Sequence, residues 1–437
     1  MSVEYITLSI LVAMITMMAM GFHLAFITGS IAIVATLLVI GPEGLPLIAS
    51  RMYTFVMEPA LVAVPMFVMM ATFMERSGVA KDLFTAMYAW SGRVRGGVAI
   101  QTMGVAAVLA AITGIVGGEV VMLGLVALPQ LLRLNYDKYL SVGTIAAGGA
   151  LGTMIPPSIV LIMYAVTAGV STGDLFKATL VPGLLLAGLY MVYIFLTCKF
   201  NPAKGPILPE DEQLTLIEKF KTSKNLFAPA LIGFSVLGSI YSGIASVTEA
   251  ASVGCMATII MVIVRKKMSQ STLSGALHET LITCGKLFWL SLGATALIGI
   301  FNIMGGSAYL QSLVSGLPFP PIVIIIIMMV ILAVLGMFMD WIGILILTMP
   351  IFIPIVIALG FDPIWFGVLF CMNMQISFIS PPFGPACFYL KSVAPPQISL
   401  IDIFRGVLPF IAIQILALGI VMSFPDIALW LPRALGN

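Results

Sequence analysis

The chain has 437 residues, 61% of them hydrophobic and only 9% charged, with a mean hydropathy of +1.16. Soluble domains carry about a quarter charged residues, so this composition excludes a soluble globular protein and predicts one that crosses a membrane many times. A net charge of +2 is too small to recruit nucleic acid, and five scattered cysteines with two histidines, His23 and His278, form neither a disulfide framework nor a transition-metal site.

The N-terminus carries Glu4 and then apolar residues without a basic leader or a small-residue cleavage motif, so it reads as a first spanning helix. Apolar runs lie at roughly 5–21, 24–41, 57–75, 97–132, 139–169 and 175–197. From Lys199 to Asn225 the chain turns polar, with Pro202, Pro206, Pro209, the acidic run Glu210, Asp211, Glu212 and several lysines. This stretch predicts a linker between two halves, with a short surface helix around Leu214 to Lys221. A second series of apolar runs follows it.

Two Pro-Pro breaks interrupt apolar segments, one running from Gly152 through Thr153, Met154 and Ile155 to Pro156 and Pro157, the other from Ser377 through Phe378, Ile379 and Ser380 to Pro381 and Pro382. One offset relates both ends, since 377 − 152 = 225 and 382 − 157 = 225. Pro129 and Asp137 map at the same offset onto Pro354 and Asp362; farther on, Asp174 to Phe176 answers Asp402 to Phe404, and Pro182 answers Pro409. Unwound points at matching places in two half-chains predict an ion or substrate site near the bilayer midplane.

Loop charge orients the halves. Arg93 and Arg95 precede the run 97–132, and Arg133 and Lys138 follow it, which predicts a re-entrant hairpin at about 97–133 that enters and leaves from the cytoplasm. The matching ends, Leu317 to Pro321 and Ala358 to Pro363, have no basic residue, so a second hairpin at about 321–359 enters from the opposite side. Conversely, Arg265, Lys266 and Lys267 fall where the first half has the unbasic Ile40 to Gly44. The expected fold is an all-α polytopic membrane protein of two inverted repeats, 1–198 and 226–437, joined by a cytoplasmic linker at 199–225. Each repeat has about five spanning helices, one hairpin and a discontinuous helix at its Pro-Pro break, and both termini are periplasmic.

The stretch Gly148 to Pro182, the segment Thr248 to Gly254, Asp340 with the Pro350 and Pro354 helix, and Asn373 through Gly384 resemble the large membrane (permease) subunit of tripartite ATP-independent periplasmic (TRAP) transporters. The resemblance covers nearly the whole chain. It implies a sodium-driven, elevator-type transporter of small organic anions in the bacterial inner membrane, fed by a periplasmic substrate-binding protein. It also implies a small membrane subunit of about four helices, expected here as a separate chain. One departure concerns the first hairpin tip, where many members have a Ser-Gly-Ser type sequence and this chain runs from Thr113 through Gly114, Gly117 and Gly118 to Glu119. The tail from Lys391 to Phe410 looks like a branch labelled for mannitol or chloroaromatic compounds, from which only a small carboxylate or sulfonate is taken.

Sodium needs several oxygen ligands, which an interrupted helix supplies as released backbone carbonyls; proline makes the release and glycine lets a facing backbone come close. Half-site 1 pairs Thr113, Gly114, Gly117 and Gly118 with Gly148, Gly149, Gly152, Thr153 and Pro156. Half-site 2 pairs Gly336, Asp340 and Gly343 with Asn373, Ser377, Ser380 and Pro381. The substrate is expected between the hairpin tips, near Gly118, Pro157, Ser158, Pro382, Gly384 and Lys391. Each feature has a plainer reading: glycines permit close helix packing, Asp340 and Glu249 cap helices, Glu119 is a structural charge at a helix start, and Lys391 snorkels to the surface. Met66 to Met74 reads as lipid-facing or packing surface, and Trp289, Trp341, Trp365 and Trp430 read as interfacial anchors.

The expected function is sodium-coupled import, with no cofactor beyond Na+ as the coupling ion. The alternative is a stand-alone ion-coupled carboxylate carrier of the same architecture that needs no binding protein. An intramembrane enzyme would require a convergent catalytic set, and no such spacing is present.

Overall fold

Without water in the hydrocarbon, backbone polar groups must bond within their own segment, and a chain this apolar folds into helices. The computed structural model describes residues 3–92, 94–114, 117–209, 213–224, 227–315 and 318–435, and all regular structure among them is helical. Arg93, the tip residues Ile115 and Val116, the acidic run Glu210 to Glu212, Asn225 and Leu317 lie outside the described residues.

The first half contains α1 (Val3–Ala19), α2 (Leu24–Val39), α3 (Leu45–Val56), α4 (Ala63–Arg76), α5 (Val79–Tyr88), α6 (Gly97–Thr113), α7 (Gly118–Arg133), α8 (Lys138–Gly149), α9 (Ile159–Ala168) and α10 (Thr172–Phe200). The second contains α11 (Leu216–Ser223), α12 (Phe227–Tyr241), α13 (Val247–Val264), α14 (Gln270–Ile303), α15 (Gly306–Ser315), α16 (Pro321–Gly336), α17 (Trp341–Ala358), α18 (Pro363–Ile379), α19 (Pro385–Val393), α20 (Leu400–Ser423) and α21 (Asp426–Leu435). Six helices among the described residues are long and apolar enough to cross a membrane, and six shorter apolar helices of 10–17 residues accompany them. The chain is a multi-pass membrane protein.

Local chemistry sets the ends. Ser246 and Glu249 form a reciprocal capping box at the start of α13, as do Ser399 and Asp402 at α20 and Thr215 and Glu218 at α11. Glu249 is thus the helix cap that its position predicts. The surface helix in the linker is α11, two residues later than the sequence suggests.

The short helices α3 and α5 were not among the expected elements. A break at Met57 and Glu58 and a 3-10 turn at Pro59–Val62 separate α3 from α4: Glu58 before Pro59 is extended (φ −66°, ψ 116°), which a residue preceding proline favours over helix. The second half has Cys284 at the position 225 residues beyond Pro59, and there α14 runs unbroken for 34 residues. Packing repeats with the chain, since α2 lies against α14 and α13 lies against α4. Close approach rests on glycine: a Cβ on Gly406 of α20 would stand 2.5 Å from the Tyr139 carbonyl and 2.6 Å from Val142 of α8.

Two tryptophans differ from expectation. Trp365 is fully buried, stacks on Phe361 and donates from Nε1 to the Val421 carbonyl at 3.2 Å, so it is core. Trp289 lies in the interior of α14 instead of at its end, with its ring exposed against Phe26. Most of Met66 to Met74 is buried, which makes it packing surface.

Candidate functional site: two hairpin tips on two broken helices

Helices α6 and α7 form one hairpin and α16 and α17 another, close to the bounds set by loop charge. Each faces a broken helix, α8–α9 or α18–α19, whose two parts are separated by the Pro-Pro break. The bonds Pro156–Pro157 and Pro381–Pro382 are both cis.

The first tip sits directly on its break. Gly114 is left-handed (φ +59°), and a side chain there would overlap the Pro157 carbonyl oxygen, so only glycine allows this approach. Gly149 is equally crowded, with the Val120 backbone nitrogen 2.9 Å from its would-be Cβ. Gly148 faces Ala106 of α6, at 2.9 Å from the same construction. Thr153 Oγ1 donates to the Ala150 carbonyl at 2.9 Å, and Ser158 Oγ donates to the Thr153 carbonyl at 2.9 Å. A hydroxyl whose proton is held by its own helix keeps its lone pairs for another partner.

The sequence reading undervalued Glu119. In the first turn of α7 it is 1% exposed, it bonds Thr113 Oγ1, and its carboxylate lies against Gly152, where a Cβ would be 2.6 Å from Oε1. Its second oxygen, Oε2, is buried without a hydrogen-bond partner among the described residues. Behind it, Glu75 of α4 places an oxygen 3.1 Å from the would-be Cβ of Gly118. The signal that finds Glu119 is the pair Glu119 and Gly152: a glycine in the break makes room for an acid at the tip.

At the second tip, Gly336 makes room for Ser377, whose Oγ and Cβ occupy the space of a Gly336 side chain. Ser377 Oγ donates to the Asn373 carbonyl at 3.1 Å and Ser380 Oγ to the Ile376 carbonyl at 2.6 Å. Asn373 Nδ2 donates to the Met329 carbonyl of α16 at 2.7 Å, and its Oδ1 is buried without a partner among the described residues. Gly336, Asp340, Trp341, Met374, Ser377 and Pro385 line a cavity of about 10 Å³, the scale of one water or one ion. Asp340 is the N-cap residue of α17 by position, but its side chain makes no capping bond.

Not every expected residue reaches these sites. Gly343 faces Leu24 of α2 and Met339, not α18. Lys391 donates to the Ile398 carbonyl at 2.7 Å, which ties it to the loop after α19 and not to a hairpin tip. Pro382 and Gly384 lie in the second break; Gly384 has φ +29°, with the Ser380 carbonyl oxygen 2.9 Å from its would-be Cβ. Tyr389, two residues earlier on α19, sets its ring 3.1 Å from the would-be Cβ of Gly117 on the first tip and 6.3 Å from the ring of Phe378. Among the described residues no group of three His, Cys, Asp or Glu could hold a metal ion.

Comparisons with known proteins identify the family and the fold. The chain resembles a C4-dicarboxylate TRAP transporter large permease protein of Pseudomonas aeruginosa, with 30% identity over 92% of each chain. It is also 30% identical to an isethionate TRAP transporter permease protein of Oleidesulfovibrio alaskensis, over 92% of this chain and 62% of that longer one. In fold it is similar to the YdaH transporter of Alcanivorax borkumensis, with a TM-score of 0.64 over 91% of each chain at 14% identity. Residues 11–427 match the family described as the tripartite ATP-independent periplasmic transporter, DctM component, and the chain belongs to that family of transport proteins.

Proposed function

We propose that this chain imports a small organic anion, carboxylate or sulfonate, by sodium-coupled, elevator-type transport across the bacterial inner membrane. The observation that carries the reading is the doubled constellation of a hairpin tip seated on a broken helix. Matching elements start at 97 and 321, and at 138 and 363, so that 321 − 97 = 224 and 363 − 138 = 225. We read the halves as inverted repeats, with the linker cytoplasmic and the termini periplasmic, because basic residues alternate between their matching loops. The arms support a re-entrant path: α6 has 17 residues and so spans about 26 Å, and its tip touches the middle of the α8–α9 span.

Sodium is assigned to the two tip-and-break junctions. The first offers Thr113, Thr153, released carbonyls and the carboxylate of Glu119; the second offers Asn373, Ser377, Ser380 and Asp340. A buried acid with an unpartnered oxygen favours a cation beside it. The substrate anion is placed between the tips, where Tyr389 and helix N-termini supply neutral donors. The names of the relatives, one for a dicarboxylate and one for isethionate, support an anionic substrate. Delivery by a periplasmic binding protein and assembly with a separate small membrane subunit complete the reading.

Proteoliposomes that hold the chain with its small subunit, given loaded binding protein, test it. Uptake is expected to require an inward sodium gradient, and uptake that proceeds equally without sodium would overturn the reading.

A further inference from the structure

Away from the hairpin tips, the ends of α8, α10 and α20 and the first residues of the linker enclose a polar cavity of about 340 Å³. Lys204, Arg405, Asp137, Tyr139, Tyr193 and Thr197 line it. This is a built site. The linker is pinned by two backbone bonds, Asp137 N–H to the Lys204 carbonyl and Gly96 N–H to the Gly205 carbonyl, both 3.0 Å. Tyr193 is fixed edge-on against Phe410 at 5.2 Å, and Lys138 lies over the Tyr139 ring at 4.9 Å.

The charges around it do not cancel. Asp402 accepts from Lys138 at 2.7 Å and from Ser399, and Asp137 caps α8 by accepting from the Leu140 N–H at 2.9 Å. Asp402 is paired with Lys138, Asp137 keeps its negative charge while capping α8, and among the described residues neither Lys204 nor Arg405 makes a salt bridge. Two cations set against the one carboxylate of Asp137 leave the cavity with a net positive charge, and three hydroxyls converge on a space large enough for a small polar group. Beside it, α10 and α20 expose Val192, Leu196, Phe200, Ile401 and Leu408, an apolar flank running toward the hydrocarbon. A polar linker must leave the membrane here, so the cavity lies at headgroup depth.

We infer that this cavity binds the phosphate of an anionic phospholipid, with Arg405 and Lys204 on the phosphate oxygens and the acyl chains along the exposed flank of α10 and α20. The chemistry is shared with free phosphate, and the apolar flank decides for the lipid. Because the site joins the start of α8 to the linker and α20, the bound lipid ties these elements together at the membrane surface.

Thermal unfolding of the purified chain in an uncharged detergent tests this. Short-chain phosphatidylglycerol is expected to raise the midpoint, while phosphatidylcholine of the same chain length and millimolar inorganic phosphate leave it unchanged. Arg405→Gln with Lys204→Gln is expected to weaken phosphatidylglycerol binding by about tenfold or more, whereas Lys267→Gln on another loop leaves it intact. Should the double variant fail to fold, Arg405→Lys provides the second comparison, with a severalfold smaller loss than Arg405→Gln. Equal stabilisation by both lipids, or a response to phosphate alone, would overturn the lipid assignment. A phosphatidylglycerol response untouched by the Arg405 and Lys204 substitutions would overturn the site.

Discussion

At the scale of single residues the two junctions solve one problem in different ways. In the first, Gly152 in the break makes room for Glu119 from the hairpin; in the second, Gly336 in the hairpin makes room for Ser377 from the break. The position 225 residues beyond Glu119 is Ile344, and 225 residues beyond Gly152 is Ser377, so polar groups have exchanged sides of the junction. The proposed cation sites are therefore inequivalent. Glu119→Gln keeps the shape and removes the charge, and it is expected to raise the sodium concentration for half-maximal uptake by about tenfold while the melting midpoint stays near wild type. Thr153→Ala and Ser380→Ala are each expected to raise it severalfold, because each removes one proposed oxygen ligand; sodium titrations of uptake that superimpose on wild type for both would remove these hydroxyls from the proposed ligand set.

This scale is also where the sequence was least legible. Glu119 reads as a charge at a helix start, and only its contact with Gly152, across a tertiary interface, shows it as part of the junction. Lys391 is the reverse case: it lies nine residues past the second break and donates to the Ile398 carbonyl. Tyr389, seven residues beyond Pro382, became visible only through its contact with Gly117. Trp365 was misread because its place two residues into α18 suits an interfacial ring as well as a core one, whereas α18 is buried from Trp365 to Ile379.

At the scale of elements the sequence was far more informative. The long apolar run 97–132 and the segment 321–359 coincide to within a residue or two with the helix pairs α6–α7 and α16–α17. The Pro-Pro breaks fell between α8 and α9 and between α18 and α19. What hydropathy missed were α3 and α5, which are short and partly polar, and the effect of Pro59, which divides in the first half what α14 keeps whole. Packing at the junctions gives a stability test. Gly336→Ala places a methyl group in the space of Ser377 and is expected to cost about 1–3 kcal/mol. Adding Ser377→Gly should recover part of that loss, and a double variant no more stable than the sum of its parts would argue against the direct contact.

At the scale of the whole molecule, the doubled register gives the transport reading its form. In the proposed reading two hairpins and two broken helices form paired cation sites with a substrate position between them, and helices outside this group, among them α1 to α4 and α12 to α14, supply the frame. A second hydrophobic cluster, built by residues such as Ile6, Ile27, Ile48 and Ile300, binds α1, α2, α3 and α14 to one another apart from the main core. It covers only part of that frame, because α4, α12 and α13 contribute Phe67, Ile232 and Val262 to the main core that also holds the hairpins. Cysteines placed on α2 and α17, at Leu24 and Gly343, are expected to cross-link and to arrest uptake reversibly on reduction. A cross-linked protein with full uptake would show that these elements do not slide.

The central claim is that the two junctions bind sodium, and equilibrium binding of radioactive sodium to the purified chain tests it most directly. The account predicts saturable binding at two inequivalent sites, with Glu119→Gln weakening one and Ser377→Ala the other. Binding that is absent, or that neither substitution changes, would contradict it.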